Sequence, residues 1–93
     1  MVVPNVPRNL TAQGRKGAVK LTWQAPSGGG VPTGYKVYRG TSSGSLTLVA
    51  TLGNATTFNN TGLTKGVTYW FQVTATNSAG EGAKTAAVSA KPT

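Results

Sequence analysis

From Tyr69 to Thr76 the side chains alternate: Tyr69, Phe71, Val73 and Ala75 point one way, Trp70, Gln72, Thr74 and Thr76 the other. A period of two in a run rich in aromatic and β-branched residues predicts a strand with one buried face. Gly66 ahead of it and Asn77-Ser78-Ala79-Gly80 behind it supply turn chemistry. The same alternation recurs along the chain. Leu10 and Ala12 face inward in a strand over 8–13, and Val19, Leu21 and Trp23 oppose Lys20, Thr22 and Gln24. Tyr35 and Val37 oppose Lys36 and Tyr38. Residues 46–52 predict an edge strand, 56–60 a short strand anchored by Phe58, and 83–90 a last strand with Val88 inward. Gly14-Arg15-Lys16-Gly17 and Gly53-Asn54 read as turns, and 40–45 as a loop. The stretch 26–32, with Gly28-Gly29-Gly30 between two prolines, cannot continue a ladder and predicts a flexible loop. Seven short strands roughly 8–12 residues apart, with no helical period, predict an all-β, seven-stranded, two-sheet Greek-key sandwich.

Composition adds boundaries. A chain of 93 residues makes one domain with a single core. Pro4 and Pro7 lack backbone donors, so residues 1–6 read as an N-terminal linker, 7–92 as the domain and 91–93 as the start of an exit linker. No internal repeat is visible, so a single monomeric module is expected. The N-terminal residues do not form a signal-peptide pattern, and no apolar run is long enough to span a membrane.

The inventory of reactive groups is short. With no His, no Cys and one carboxylate, Glu81, the chain cannot assemble a hydrolytic triad, a glycosidase carboxylate pair or a metal site. Gly28-Gly29-Gly30 is followed by neither Lys-Ser/Thr nor a helix, so it is not a phosphate loop. The expectation is a non-enzymatic module without cofactor.

The chain resembles a fibronectin type III domain of immunoglobulin-like topology. The residues that carry the resemblance are Pro7, Leu10-Thr11-Ala12, Val19-Lys20-Leu21-Thr22-Trp23 with Pro26, Gly34-Tyr35-Lys36-Val37-Tyr38, Leu63, Gly66, Tyr69, Val73, Ala75, Asn77 and Gly80-Glu81-Gly82. It implies a core of Trp23, Tyr35, Val37, Leu63, Tyr69, Phe71 and Val73. Leu63 and Tyr69 flank Gly66 as in the family's tyrosine corner, where the phenol packs inward and its hydroxyl returns to the preceding turn. Truncating such a ring costs about 3–5 kcal/mol. Lys65 stands where the family has proline, and Asn60 where aspartate is common. Arg39-Gly40-Thr41 lacks the aspartate of the family's cell-attachment tripeptide, so integrin binding by that route is not expected.

Charge is the unusual feature. Nine Lys or Arg face one acid, for a net charge of +8. In this fold Arg15, Lys16, Arg39, Lys65 and Lys91, with Lys20 nearby, are expected at one pole and Glu81 at the other. Such a pole could hold an anionic cell-surface polymer or simply keep the surface soluble. Nucleic acid matches on charge alone, and no nucleic-acid-binding motif accompanies it. Trp70 and Tyr38 are both expected outward on neighbouring strands. They read as a sheet-stabilising aromatic pair, a contact for a neighbouring domain or a stacking face for sugars. Asn9-Leu10-Thr11, Asn54-Ala55-Thr56 and Asn59-Asn60-Thr61 match the glycosylation pattern by chance in a Thr-rich chain. The phrases Tyr35-Lys36-Val37-Tyr38-Arg39-Gly40 and Asn77-Ser78-Ala79-Gly80-Glu81-Gly82 are similar to modules of bacterial extracellular, polysaccharide-degrading proteins. The resemblance implies a secreted accessory spacer or docking module beside a glycoside hydrolase domain, with polysaccharide or cell-surface binding as the alternative.

Overall fold

Alternation decides the strands, and the computed structural model, which describes residues 2–42 and 44–93, forms them where the pattern is strongest. Met1 of the expected linker and Ser43 of the expected 40–45 loop lie outside the described residues. The strands are β1 (Arg8–Arg15), β2 (Ala18–Gln24), β3 (Gly34–Gly40), β4 (Thr47–Leu52), β5 (Thr57–Asn60), β6 (Tyr69–Asn77), β7 (Gly80–Glu81) and β8 (Val88–Ala90). One sheet has the order β1-β2-β5 and the other β4-β3-β6, with β7 and β8 both on the outer edge of β6. All pairings are antiparallel.

The inward residues of the two sheets meet. Val19, Leu21, Trp23, Tyr35, Val37, Phe71, Val73 and Ala75 are buried, and Leu10, Ala12, Phe58, Leu63, Tyr69 and Val88 pack around them. Trp23 and Tyr35 meet across the layer with ring centroids 5.5 Å apart at 59°. Leu63 and Tyr69 are half-buried at the margin of the core rather than inside it. The Trp23 Nε1 and Tyr35 hydroxyl are buried without a hydrogen-bond partner among the described residues.

Among the described residues the strands number eight where seven were expected. The anticipated strand 83–90 is ordered as a ladder only at Val88–Ala90, and Gly80–Glu81 pairs separately. The cause lies in the register. Thr76 faces Glu81 and Phe71 faces Val88, so β6 advances five residues while the opposing edge advances seven. The surplus bulges out, and buried Thr85 spans the gap. Its N–H donates to the Val73 carbonyl (3.1 Å), and its Oγ1 accepts from Val73 N–H (3.1 Å). A side-chain hydroxyl thus replaces a backbone acceptor at an edge that would otherwise be open. In β1 a second irregularity falls between Arg8 and Thr11, where Asn9 adopts φ 55, a conformation that Asn tolerates.

Both ends of the chain are stapled to the sandwich, at opposite poles. Asn5 N–H donates to the Gly28 carbonyl (3.2 Å) and Gly30 N–H to the Val3 carbonyl (3.1 Å). Asn77 Nδ2 donates to the Val2 carbonyl (2.8 Å), and Pro4 is fully buried. The Gly-rich stretch expected to be flexible is therefore a cradle for residues 2–5. A Cβ on Gly30 would lie 2.0 Å from the Val2 carbonyl oxygen, so only glycine lets the two backbones approach this closely. At the far pole Thr93 N–H donates to the Arg15 carbonyl (2.9 Å), and Gly17 N–H returns a bond to Thr93 (3.2 Å). Gly66 N–H donates to the carbonyl of buried Pro92 (3.1 Å). The molecule measures 43 × 23 × 19 Å along its principal axes.

Candidate functional site

Two surfaces came out of the sequence, an aromatic face and a basic pole, and the fold treats them differently. On the outward face of β3 and β6, Tyr38 lies opposite Gln72, while Trp70 lies between Gly40 on one side and Ser89 on the other. The two aromatic residues are diagonal neighbours, and both are half-buried rather than exposed. Tyr38 is also engaged at both ends of its ring. Its hydroxyl donates a hydrogen bond to a Glu81 carboxylate oxygen, and Lys84 Nζ sits 4.7 Å from the ring centroid. Thr74, fully buried beneath, donates to the same carboxylate (2.7 Å), and Lys36 Nζ lies 3.9 Å from its other oxygen.

The only acidic side chain of the protein is therefore consumed inside a local cluster that ties β7 to β3 and β6. The hydrogen bond from Tyr38 holds the Glu81 carboxyl below the usual carboxylate range, helped by Thr74, Lys36 and Lys84. Burial, then the bond and charge of Glu81, push the Tyr38 hydroxyl up to about 12. Around Tyr38 this face is a polar lock, with the ring engaged by Glu81 and Lys84. Sequence parity placed both residues outward correctly. It could not show that the edge segment after β6 folds back over them.

The basic pole is assembled from three chain segments. Arg15 and Lys16 stand at the β1–β2 turn, Lys65 in the loop before β6, and Lys91 after β8. The backbone bonds that link Thr93 to Arg15 and Gly17, and Pro92 to Gly66, hold these segments together. Leu63 N–H adds a bond to the Gly17 carbonyl (2.9 Å). All four side chains are exposed. Lys20 lies on the outer face of β2, between Gln13 and Asn59, two residues along from the Ala18 rung opposite Arg15.

Arg39 departs from the expectation. It shares inward parity with Tyr35 and Val37, so its guanidinium enters the gap between the sheets. There Nη1 donates to Oδ1 of buried Asn60 (2.7 Å), and the group lies 5.7 Å from the centroid of the Tyr69 ring. Tyr69 makes the corner bond, its hydroxyl accepting from Thr64 N–H (2.9 Å). Arg39 thus joins both sheets at the corner, and is a structural cation rather than a free one. The signal was present in the alternation of β3, where a charged residue falls on the core side.

Among the described residues no three His, Cys, Asp or Glu side chains lie close enough together to hold a metal ion. The chain carries no His or Cys, and its one carboxylate is committed. Such an inventory supplies no imidazole, no thiolate and no second carboxylate, so no Ser-His-Asp triad, Cys–His pair or glycosidase carboxylate pair can be built from it. Among the described residues no helix is long and apolar enough to cross a membrane.

The comparisons agree with this architecture. The chain is 33% identical over 81 residues to an amylopullulanase of Thermoanaerobacterium saccharolyticum; the match covers 86% of this chain and 6% of that protein. It superposes on a Fn3-like protein from Clostridium thermocellum with a TM-score of 0.84 and 29% identity, covering 97% of this chain and 94% of the other. A β-1,2-glucanase from Parabacteroides distasonis contains the same fold, with a TM-score of 0.82 at 20% identity over 99% of this chain and 13% of that one. Residues 5–91 match the fibronectin type III domain, and the protein belongs to that family.

Proposed function

We propose that the domain is an accessory spacer in an extracellular multidomain protein that acts on polysaccharide, and that it holds its neighbours at a fixed separation and orientation. The observation that carries this reading is the stapling of both chain ends at opposite poles. Reciprocal backbone bonds fix residues 3–5 on the 28–30 cradle, and a second set fixes residues 92–93 on the β1–β2 turn. Entry and exit directions are then properties of the sandwich and not of loose tails. The resemblance in sequence to an amylopullulanase, of which this chain spans only 6%, supports the setting beside a glycoside hydrolase.

A labelled reporter domain fused at each end tests the idea by electron-electron distance measurement. A narrow distance distribution is expected for the native sequence, and a broad one after deletion of residues 2–5. A broad distribution in the native sequence would sink the spacer reading.

The alternative, attachment to a polymer, is favoured by the gathering of exposed cations at the exit pole. The engagement of Tyr38 with Glu81 and Lys84 speaks against the aromatic face as a sugar platform.

A further inference from the structure

The geometry of the exit pole points to a binding surface for an anionic polysaccharide-type polymer, one bearing carboxylates or phosphates along a flexible chain. This rests on the extracellular setting proposed above, but not on the spacer role. Three observations carry it.

The first is an imbalance that the fold sharpens. The protein has nine cationic side chains and one anionic one, and the anionic one is engaged by Tyr38, Thr74 and Lys36 on the outward face of β3 and β6. Arg15, Lys16, Lys65 and Lys91 therefore have no side-chain carboxylate anywhere in the protein with which to pair.

The second is preorganisation. Left to themselves, four like charges on three separate segments would spread apart. Here the bonds Thr93–Arg15, Gly17–Thr93, Gly66–Pro92 and Leu63–Gly17 clamp the segments, while the charged heads stay in solvent. An anionic partner relieves the repulsion without any rearrangement of the backbone.

The third concerns the kind of anion. Three of the four heads are lysine ammoniums, which act as hydrated point charges and suit separate anionic groups along a chain better than the planar fork of arginine does. Specific recognition of nucleic acid needs in addition a stacking face or an element that enters a groove. Tyr69, at the corner of this pole, has Arg39 over its ring and its hydroxyl bonded to Thr64, so it offers no stacking face.

The test compares two variants that each remove three positive charges: Lys16→Gln/Lys65→Gln/Lys91→Gln at the pole, and Arg8→Gln/Lys36→Gln/Lys84→Gln elsewhere. Binding is measured by titration calorimetry at low salt. The probes are polygalacturonate, poly(glycerol phosphate), neutral dextran and a short DNA duplex. The wild type is expected to bind one or both anionic polymers, not dextran, and to release them at ~0.5 M salt. The relative affinity of polygalacturonate and poly(glycerol phosphate) identifies whether carboxylate or phosphate is the natural source. The pole variant should lose affinity about tenfold or more, and the control variant less than about twofold, since only close charges act strongly through screening salt. Equal losses in the two variants, absence of binding to either anionic polymer, or DNA held as tightly as the anionic glycans would each overturn the proposal. The spacer reading is unaffected by any of these results, because its test reads distances and not affinity.

Discussion

The two poles of the sandwich solve the same mechanical problem with different surfaces. Each ties a chain end down by backbone hydrogen bonds and a buried proline, Pro4 at one pole and Pro92 at the other. At the entry pole the staple leaves valines outside: Val31 is 81% exposed and Val2 61%. At the exit pole it gathers Arg15, Lys16, Lys65 and Lys91. The comparison separates what holds a terminus from what the terminus presents. Backbone bonding sets the direction of the chain at both ends, whereas side chains, free of that duty, make one end apolar and the other cationic.

Alanine at one glycine in each pole should break the comparison most strongly. A Cβ on Gly30 would meet the Val2 carbonyl oxygen at 2.0 Å, and a Cβ on Gly14 would meet that of Lys91 at 2.2 Å. Neither neighbour can yield without releasing its staple. Each variant should lose about 1–3 kcal/mol in urea unfolding. Hydrogen exchange should accelerate only at the pole that was struck: at Asn5 and Gly30 for Gly30→Ala, at Gly17 and Thr93 for Gly14→Ala. Salt distinguishes the poles further. Opening the exit pole relieves repulsion among its cations, so the loss for Gly14→Ala should grow with added salt, while that for Gly30→Ala stays level. Matching salt responses would mean that the charges at the exit pole do not feel one another.

How much of this was legible in the residues can be argued from particular places. Alternation was sufficient for β2, β3 and β6, because burial on one face leaves a period of two that no other element produces. It also held the inward position of Arg39, visible as a charge on the parity of Tyr35 and Val37. What was not legible depends on contacts distant in sequence. The glycines at 28–30 look like a flexible loop until the chain's own first residues are laid on them. The break between β7 and β8 depends on a register offset against β6 and on the hydroxyl of Thr85, neither of which has a local signature. Tyr38 and Trp70 lie on the outward face that parity indicates, but the engagement of Tyr38 comes from Glu81 and Lys84 on a different segment.

A smaller effect compares the tyrosines. Tyr69 near the exit pole has its hydroxyl bonded to Thr64 N–H, whereas the buried Tyr35 hydroxyl, on the first rungs of β3, has no partner among the described residues. Tyr69→Phe should cost about 1 kcal/mol, because an amide donor loses its acceptor. Tyr35→Phe should be neutral or slightly stabilising, since it removes a buried hydroxyl and keeps the ring against Trp23. Equal losses in chemical unfolding would show that the Tyr35 hydroxyl is satisfied in solution.

The smallest effect is a response to pH confined to the half of the molecule that holds Glu81. Its carboxyl is held below the ordinary value by Tyr38 first, so its stabilising contribution is present above the ordinary carboxyl range of about 4.3 and is lost as pH falls through the lowered folded value. Tyr38 gives the opposite limb. Its hydroxyl is raised from 10.0 to about 12, so its contribution is present below pH 10 and disappears as pH rises toward 12. With a single acidic side chain in the protein, acid should produce one shallow step rather than general unfolding. Urea midpoints of wild type and Glu81→Gln, followed from neutral pH downward, isolate that step: the gap between them should be constant above pH ~5 and close at lower pH. Amide exchange should show where it acts. Acid should loosen Glu81 and Gly82 beside the entry strap, where Gly82 N–H bonds the Ala75 carbonyl at 2.9 Å, and should leave Gly17, Gly66 and Thr93 protected. If the exit pole loosened in the same step, the two ends would be coupled through the sheets, and the independence of the staples would be wrong.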